Sequence, residues 1–189
     1  RKQSLAQALA GATRAKDLVQ QILAFSRKAE QKKQPVQASQ LVKEALKMLR
    51  ASIPTTIEIR QDIDANGIVM ADPIQIHQVV MNLCTNAYQS MRERGGILNV
   101  SLKEIDRKGE GGGDDILTPG RYLELEVSDT GCGISPEMQE KIFEPYFTTK
   151  ETGEEKGTGL GLAVVHGIIN SHHGHITISS APGAGTTIH

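Results

Sequence analysis

A chain of 189 residues that sets 21 Lys and Arg against 22 Asp and Glu carries a formal net charge of −1, which leaves no electrostatic footprint for nucleic acid or an anionic membrane surface. Aromatics are only 3% of the chain and tryptophan is absent, so Leu, Ile, Val and Ala must fill the core and little remains for base-stacking platforms. No apolar run reaches the roughly 20 residues that span a bilayer, Arg1-Lys2-Gln3-Ser4 does not read as a signal peptide, and the expectation is a soluble chain.

From Leu5 to Ala29 the pattern is helical and free of proline. Ala15, Leu18, Ile22, Phe25 and Ala29 recur at alternating three- and four-residue spacing, the seam of a coiled coil or bundle. The polar stretch from Lys28 to Gln34 ends at Pro35 and reads as a helix stop and linker. Ser39 is the expected cap of a second helix carrying Leu41, Ala45, Met48 and Leu49. Ile57, Ile59 and Ile63 predict a strand, with Val69 in a short partner. Asp72-Pro73-Ile74-Gln75 is a helix start: a capping carboxylate, proline at the first helical position and Gln at the third.

Strands are expected near Ile97 to Ile105 and Tyr122 to Ser128, joined by a glycine-rich hairpin loop from Arg107 to Gly120. Asp114 and Asp115 in that loop lack the further oxygen ligands a calcium loop needs. A short helix follows from Ser135 and Pro136, then a polar stretch from Thr148 to Lys156 and a helix from Leu160 to about Ser171. A strand from His175 to Ser180 and a last one from Thr186 to His189 complete the chain. Strands interleaved with long helices and joined by hairpins predict an α+β fold: a two-layer sandwich with helices on one face of a mixed sheet.

Chemistry concentrates at a few places. Leu123, Leu125 and Val127 alternate with Glu124, Glu126 and Ser128, as in a half-buried strand, and the strand runs into Asp129-Thr130-Gly131-Cys132-Gly133. A carboxylate there can read an exocyclic amine, and the glycines let backbone approach a flat ligand; Asp-x-Gly is also a common turn and occurs around aspartic-protease carboxylates. In the helix opened by Asp72 the apolar stripe is Ile76, Val79, Val80, Leu83 and Ala87. Asn82 and Asn86 sit one turn apart beside it. Asn is a poor helix former, so the pair reads either as a polar face or as oxygen donors to a magnesium ion and the phosphates it chelates. Gly157-Thr158-Gly159-Leu160-Gly161 opens a helix whose amides and dipole favour phosphate, or is a simple turn. It has neither the Lys-Ser/Thr of a P-loop nor the preceding strand of a dinucleotide fold. Phe143-Glu144-Pro145-Tyr146-Phe147 lies between the glycine motifs and reads as the dock of a mobile lid, with Lys150 in reach of phosphate. Cys84 and Cys132 fit neither a disulfide framework nor a metal knuckle and read as reduced thiols. His166, His172, His173 and His175 lack cysteine or carboxylate at ligand spacing, so a metal site is not expected there.

In this order the four motifs resemble the nucleotide-binding domain of sensor histidine kinases, within the superfamily that includes gyrase-type topoisomerases, heat-shock chaperone ATPases and mismatch-repair ATPases. The resemblance covers about residues 36 to 189. It implies that Asn82 and Asn86 handle magnesium and the phosphates of ATP, the catalytic role. It further implies that Asp129 binds the adenine amine, that Gly131 and Gly133 shape the pocket, that Gly159 and Gly161 form the hinge of the ATP lid, and that Ile134, Gly157, Thr158 and Leu160 belong with Gln89 and Lys150 to the nucleotide-binding set. Asn82 favours the kinases, because hydrolytic relatives usually place a glutamate there as general base.

Gln89 stands where many members of the family carry a basic residue, which passes the phosphates to Arg92, Lys150 or the lid helix. Leu18 to Lys28 looks like the second helix of the dimerisation and phosphoacceptor hairpin, whose first helix carries the phosphorylated histidine; no histidine precedes His77. The implied division is residues 1–34 as that helix and linker and residues 35–189 as the catalytic domain. The implied reaction is transfer of the γ-phosphoryl of ATP to a hairpin histidine and on to a response-regulator aspartate, in a dimeric parent protein with this part in the cytoplasm. Two other readings stand beside it: a hydrolytic ATPase or serine kinase of the same superfamily, and a non-catalytic module in which nucleotide regulates docking.

Overall fold

The computed structural model describes residues 33–107, 118–148 and 158–189. The helix expected over Leu5 to Ala29, Asp114, Asp115, Lys150 and Gly157 lie outside the described residues. In chain order the elements are β1 (Gln34–Gln37), α1 (Ala38–Arg50), β2 (Ile57–Asp64), β3 (Ile68–Ala71), α2 (Pro73–Ser90), β4 (Gly96–Arg107), β5 (Gly120–Asp129), α3 (Pro136–Gln139), α4 (Gly161–Ser171), β6 (Ile178–Ala181) and β7 (Gly185–Ile188).

Five strands form one mixed sheet in the order β2-β4-β5-β7-β6. β2 and β4 are parallel, which requires a crossover, and β3 with α2 supplies it. β4 and β5 form the expected hairpin, in register from Leu98 opposite Asp129 to Arg107 opposite Gly120. β7 then pairs with the other edge of β5, placing Thr186 opposite Asp129. Asp129 therefore ends the central strand with a neighbour on each side.

Alternation along β4 turns Leu98, Val100 and Leu102 inward, each at most 2% exposed. They share one core with Val42, Ala45, Leu46 and Leu49 of α1, Val79, Val80, Leu83 and Ala87 of α2, and Val165 and Ile168 of α4. Each such Val, Leu or Ile side chain, fully buried, contributes roughly 1.5–3 kcal/mol relative to exposure. α2 is thus packed on the sheet along one stripe, and its neighbouring face is left to look toward the ends of β5 and β7. Asp72 caps α2, its Oδ1 accepting from the Ile74 N–H at 2.9 Å. The Asp72 N–H in turn donates to His172 Nε2 at 3.3 Å, leaving Nδ1 as the donor to the Ile168 carbonyl at 2.9 Å. That imidazole ties the end of α4 to the start of α2.

Several expectations are corrected. Val69 does lie in a short strand, but its partner is β1, antiparallel, rather than the Ile57 strand. Pro35 belongs to β1, where an isolated two-stranded ribbon tolerates the missing N–H. α1 begins at Ala38 with Gln37 at the cap and no side-chain capping bond; Ser39 is buried in the first turn instead. The buried stripe of α1 runs through Val42, Ala45, Leu46 and Leu49, and Met48 is exposed. The last strands are shifted: β6 begins at Ile178 and β7 at Gly185.

Candidate functional site

The end of β5 carries the most confined acid among the described residues: Asp129 is only 8% exposed. Its Oδ1 accepts from the Gly131 N–H at 2.8 Å and from Ser90 Oγ at 2.9 Å. Burial raises its carboxyl above the usual range, opposed by the bonds from the Gly131 backbone, the Ser90 hydroxyl and the Thr186 backbone. Local sequence explains the arrangement. An added Cβ at Gly131 would overlap Ser90 Oγ, and one at Gly133, where φ is +69°, would overlap the Ala181 carbonyl. Only glycine lets the chain turn this tightly between α2 and β6.

Asp129 forms one wall of a cleft of about 430 Å³. Asn82, Asn86, Gln89 and Ser90 of α2 line the same cleft, as do Thr158, Gly159 and Gly161 at the entry to α4. Asn82 Nδ2 donates to the Gly161 carbonyl at 3.3 Å, so its amide oxygen remains an acceptor. A Cβ at Gly161 would stand 3.8–3.9 Å from the Asn82 and Asn86 side chains, so the first turn of α4 faces both amides. The cleft thus joins a buried carboxylate at one end to two amides and a helix N-terminus at the other, a layout that suits a base and its polyphosphate.

The stretch between the glycine motifs closes the third side. Ile134, Met138, Ile142, Phe147 and Thr148 line the cleft. Ile134 is anchored by its N–H to Ser180 Oγ at 2.8 Å, while Gln139 Nε2 donates to the Ile134 and Ser180 carbonyls at 2.9 and 2.8 Å. Phe143 lies against the His166 ring of α4, centroids 5.3 Å apart, within the range of favourable ring contacts. The Tyr146 N–H donates to the Gly159 carbonyl at 2.9 Å, with Tyr146 at φ +68° and Gly159 at φ +65°. Tyr146 and Gly159 are thereby bonded to each other backbone to backbone.

Of the residues singled out from sequence, Asn82, Asn86, Gln89, Asp129, Gly133, Ile134, Thr158, Gly159 and Gly161 line this one cleft. Gly131 is not in the lining and serves through its N–H to Asp129. Leu160 is buried at the α4 cap, 4% exposed, rather than facing the cleft. Ser90, Thr186 and the apolar Met138 and Ile142 were not anticipated. Ser90 extends the four-residue spacing of Asn82 and Asn86, a signal that was there to be read; Thr186 arrives through β7 pairing, which local sequence does not encode. Among the described residues no group of three His, Cys, Asp or Glu stands close enough to hold a metal ion, and no helix is long and apolar enough to cross a membrane.

Comparison with known proteins agrees with this geometry. Residues 71–189 match the family model described as histidine kinase-, DNA gyrase B-, and HSP90-like ATPase. The chain is 39% identical over 180 residues to the sensor kinase CckA of Brucella abortus (strain 2308), covering 93% of this chain and 18% of that protein. It is 34% identical over 172 residues to the signal transduction histidine-protein kinase AtoS of Escherichia coli (strain K12), covering 90% and 25%. The chain therefore spans a quarter or less of the length of these curated relatives. The structure of the mycobacterial sensor histidine kinase MprB matches with a TM-score of 0.66 at 27% identity, over 82% of this chain and 93% of that one.

Proposed function

The chain belongs to the histidine kinase-, DNA gyrase B- and HSP90-like ATPase family, as an ATP-binding catalytic domain of the two-component sensor histidine kinase type, and from that premise we propose how its residues divide the work. Asp129 receives the 6-amino group of adenine, its carboxylate held by three donors. Gly131 and Gly133 keep the loop clear of side chains where the base lies flat. Asn82 and Asn86 face the phosphates across the N-terminus of α4, with Thr158, Gly159 and Gly161 supplying the hinge of a lid that begins near Ile134. Gln89, Lys150, Gly157 and Leu160 complete the nucleotide set proposed from the sequence.

The donor chemistry fits magnesium. It takes hard oxygen ligands and keeps waters and substrate phosphates as the rest of its shell, and Asn82, with its Nδ2 bonded to the Gly161 carbonyl, offers an amide oxygen beside Asn86. Bound there, the ion would offset charge on the phosphates. Phosphoryl transfer asks little covalent chemistry of the protein. What these residues do is orient the nucleotide and hold the γ-phosphoryl group in line for an external acceptor. With an amide rather than a carboxylate at position 82, the helix has no base there to activate water, which favours transfer over hydrolysis.

The parent activity is then transfer of the γ-phosphoryl group to a histidine on a helical hairpin and on to a response-regulator aspartate. Residues 1–34 act as the second helix of that hairpin and its linker, leading into a two-layer catalytic domain over residues 35–189 of a dimeric kinase, with this part in the cytoplasm. The single observation that carries the reading is the convergence of Asp129, Asn82, Asn86 and the Gly159–Gly161 turn on one cleft. It is tested by incubating the chain with γ-labelled ATP and a protein bearing a complete hairpin. Acid-labile, base-stable phosphate on the hairpin is expected; release of free phosphate without labelled protein, or label on serine, contradicts it.

A further inference from the structure

Ser90 closes α2 one turn beyond Asn86 and two beyond Asn82, where the helix that faces the phosphates meets the carboxylate that faces the base. Its Oγ lies 2.9 Å from Asp129 Oδ1 and 2.8 Å from the Ala87 carbonyl, and its own carbonyl accepts from the Cys132 N–H at 3.3 Å. Both ends of Ser90 thus grip the glycine loop. A hydroxyl has one proton to give. The ionised carboxylate is the stronger acceptor, so the proton goes to Asp129 as a charge-assisted bond. The Ala87 carbonyl, in the last turn of α2, is the alternative acceptor when Asp129 does not take it.

Two donors, the Ser90 hydroxyl and the Gly131 N–H, converge on the same oxygen, Oδ1. That convergence fixes the rotation of the carboxylate about its Cβ–Cγ bond, and with it the direction in which Oδ2 faces. The fit leaves no slack, because a Cβ at Gly131 would overlap Ser90 Oγ. Without the hydroxyl, the carboxylate keeps only the Gly131 and Thr186 backbone donors and is freer to turn. Resting on the reading of Asp129 as the acceptor of the base amine, we propose that Ser90 is the positioning residue for base selection: by fixing the Asp129 carboxylate it sets how strongly the cleft prefers a purine bearing a 6-amino group. Ser90 acts here through Asp129.

The experiment titrates the whole chain, as wild type, Ser90→Ala, Ser90→Cys and Asp129→Asn, with ATP and with purine riboside triphosphate, the same nucleotide lacking the 6-amino group. The quantity read is the ratio of the two affinities. Ser90→Ala is expected to lower that ratio about five- to tenfold, through ATP alone. Ser90→Cys, of similar size with only a weak S–H donor, is expected in between and gives the reading should the alanine variant fail to fold. A purely structural role for Ser90 lowers both affinities together and leaves the ratio unchanged, and that result overturns the proposal. A preference lost in Asp129→Asn yet untouched in both Ser90 variants overturns the proposal alone. A wild-type chain with no preference between the two nucleotides overturns the reading of Asp129 and the proposal with it.

Discussion

Replacing Asp129 by Asn separates what this residue does for the fold from what it does for the ligand. The carboxylate is 8% exposed and burial raises its acid range above that of a free aspartate. The folded state therefore holds its proton more tightly than the unfolded chain does. The stability this contributes is fully present below the unfolded value, near 4, and is lost as pH rises through the folded value. At pH 7 the ionised group is a net cost to the empty fold, so Asp129→Asn should raise the apo melting temperature, by about 2–4 °C for each kcal/mol relieved. The gain should vanish in acid. Binding moves the other way. The asparagine oxygen is claimed by the Gly131 and Ser90 donors, so its NH₂ confronts the amine of the base, donor against donor. Losing one hydrogen bond to a charged acceptor costs about 1.5–3 kcal/mol, or roughly 10- to 150-fold in Kd, and ATP and ADP should suffer alike. Calorimetric titration at pH 7, beside thermal unfolding at pH 7 and at about pH 3, below the unfolded value, measures both effects. An Asn variant that binds ATP within threefold of wild type, or that loses stability and binding together at pH 7, refutes the reasoning.

Asn86→Ala should reduce the magnesium-dependent increment in ATP affinity while leaving magnesium-free binding nearly unchanged, as read by titration with and without the metal. Gly133→Ala places a Cβ at φ +69° and against the Ala181 carbonyl, a cost of about 2 kcal/mol or more that scanning calorimetry should register as a melting temperature lowered by about 4–8 °C; an unchanged melting curve contradicts the turn geometry. Burial pushes the Cys84 thiol up to about 12, whereas Cys132 is exposed and lines the cleft. An aromatic disulfide reagent at pH 8 should therefore count one thiol in the native protein and two in denaturant, and ATP should slow the native reaction. Incubated alone with γ-labelled ATP, the chain should acquire no phosphohistidine, because its histidines begin at His77 and belong to the ATP-binding unit; stoichiometric acid-labile label on any of them would overturn that.

What sequence made legible was local and periodic. Leu123, Leu125 and Val127 announced the strand that delivers Asp129, and the Asp72-Pro73 start announced the helix that carries Asn82 and Asn86. Both are present, Asp72 capping through the Ile74 N–H. What sequence hid was set by contacts between distant segments. Nothing around Ile57 says that β2 pairs in parallel with β4. Nothing around Thr186 says that β7 lies against Asp129. Pro35 marks a helix stop by residue type, and only the partner strand β3 makes it part of a ribbon as well. Ser39 looked like a helix cap by residue type, but the chain turns at Gln37 and packs the serine inside. Ser90 is the instructive omission, since a helix face extended by one more turn would have found it.

The most direct measurement is a calorimetric titration of the chain with ATP, repeated with ADP and with GTP, each with and without magnesium. Saturable binding of ATP and ADP is expected, strengthened by magnesium for ATP and weaker by tenfold or more for GTP, whose 6-oxo group offers an acceptor to the Asp129 carboxylate where adenine offers a donor. No heat and no competition at millimolar ATP, or GTP binding as tightly as ATP, would contradict a cleft built around Asp129 for an adenine nucleotide.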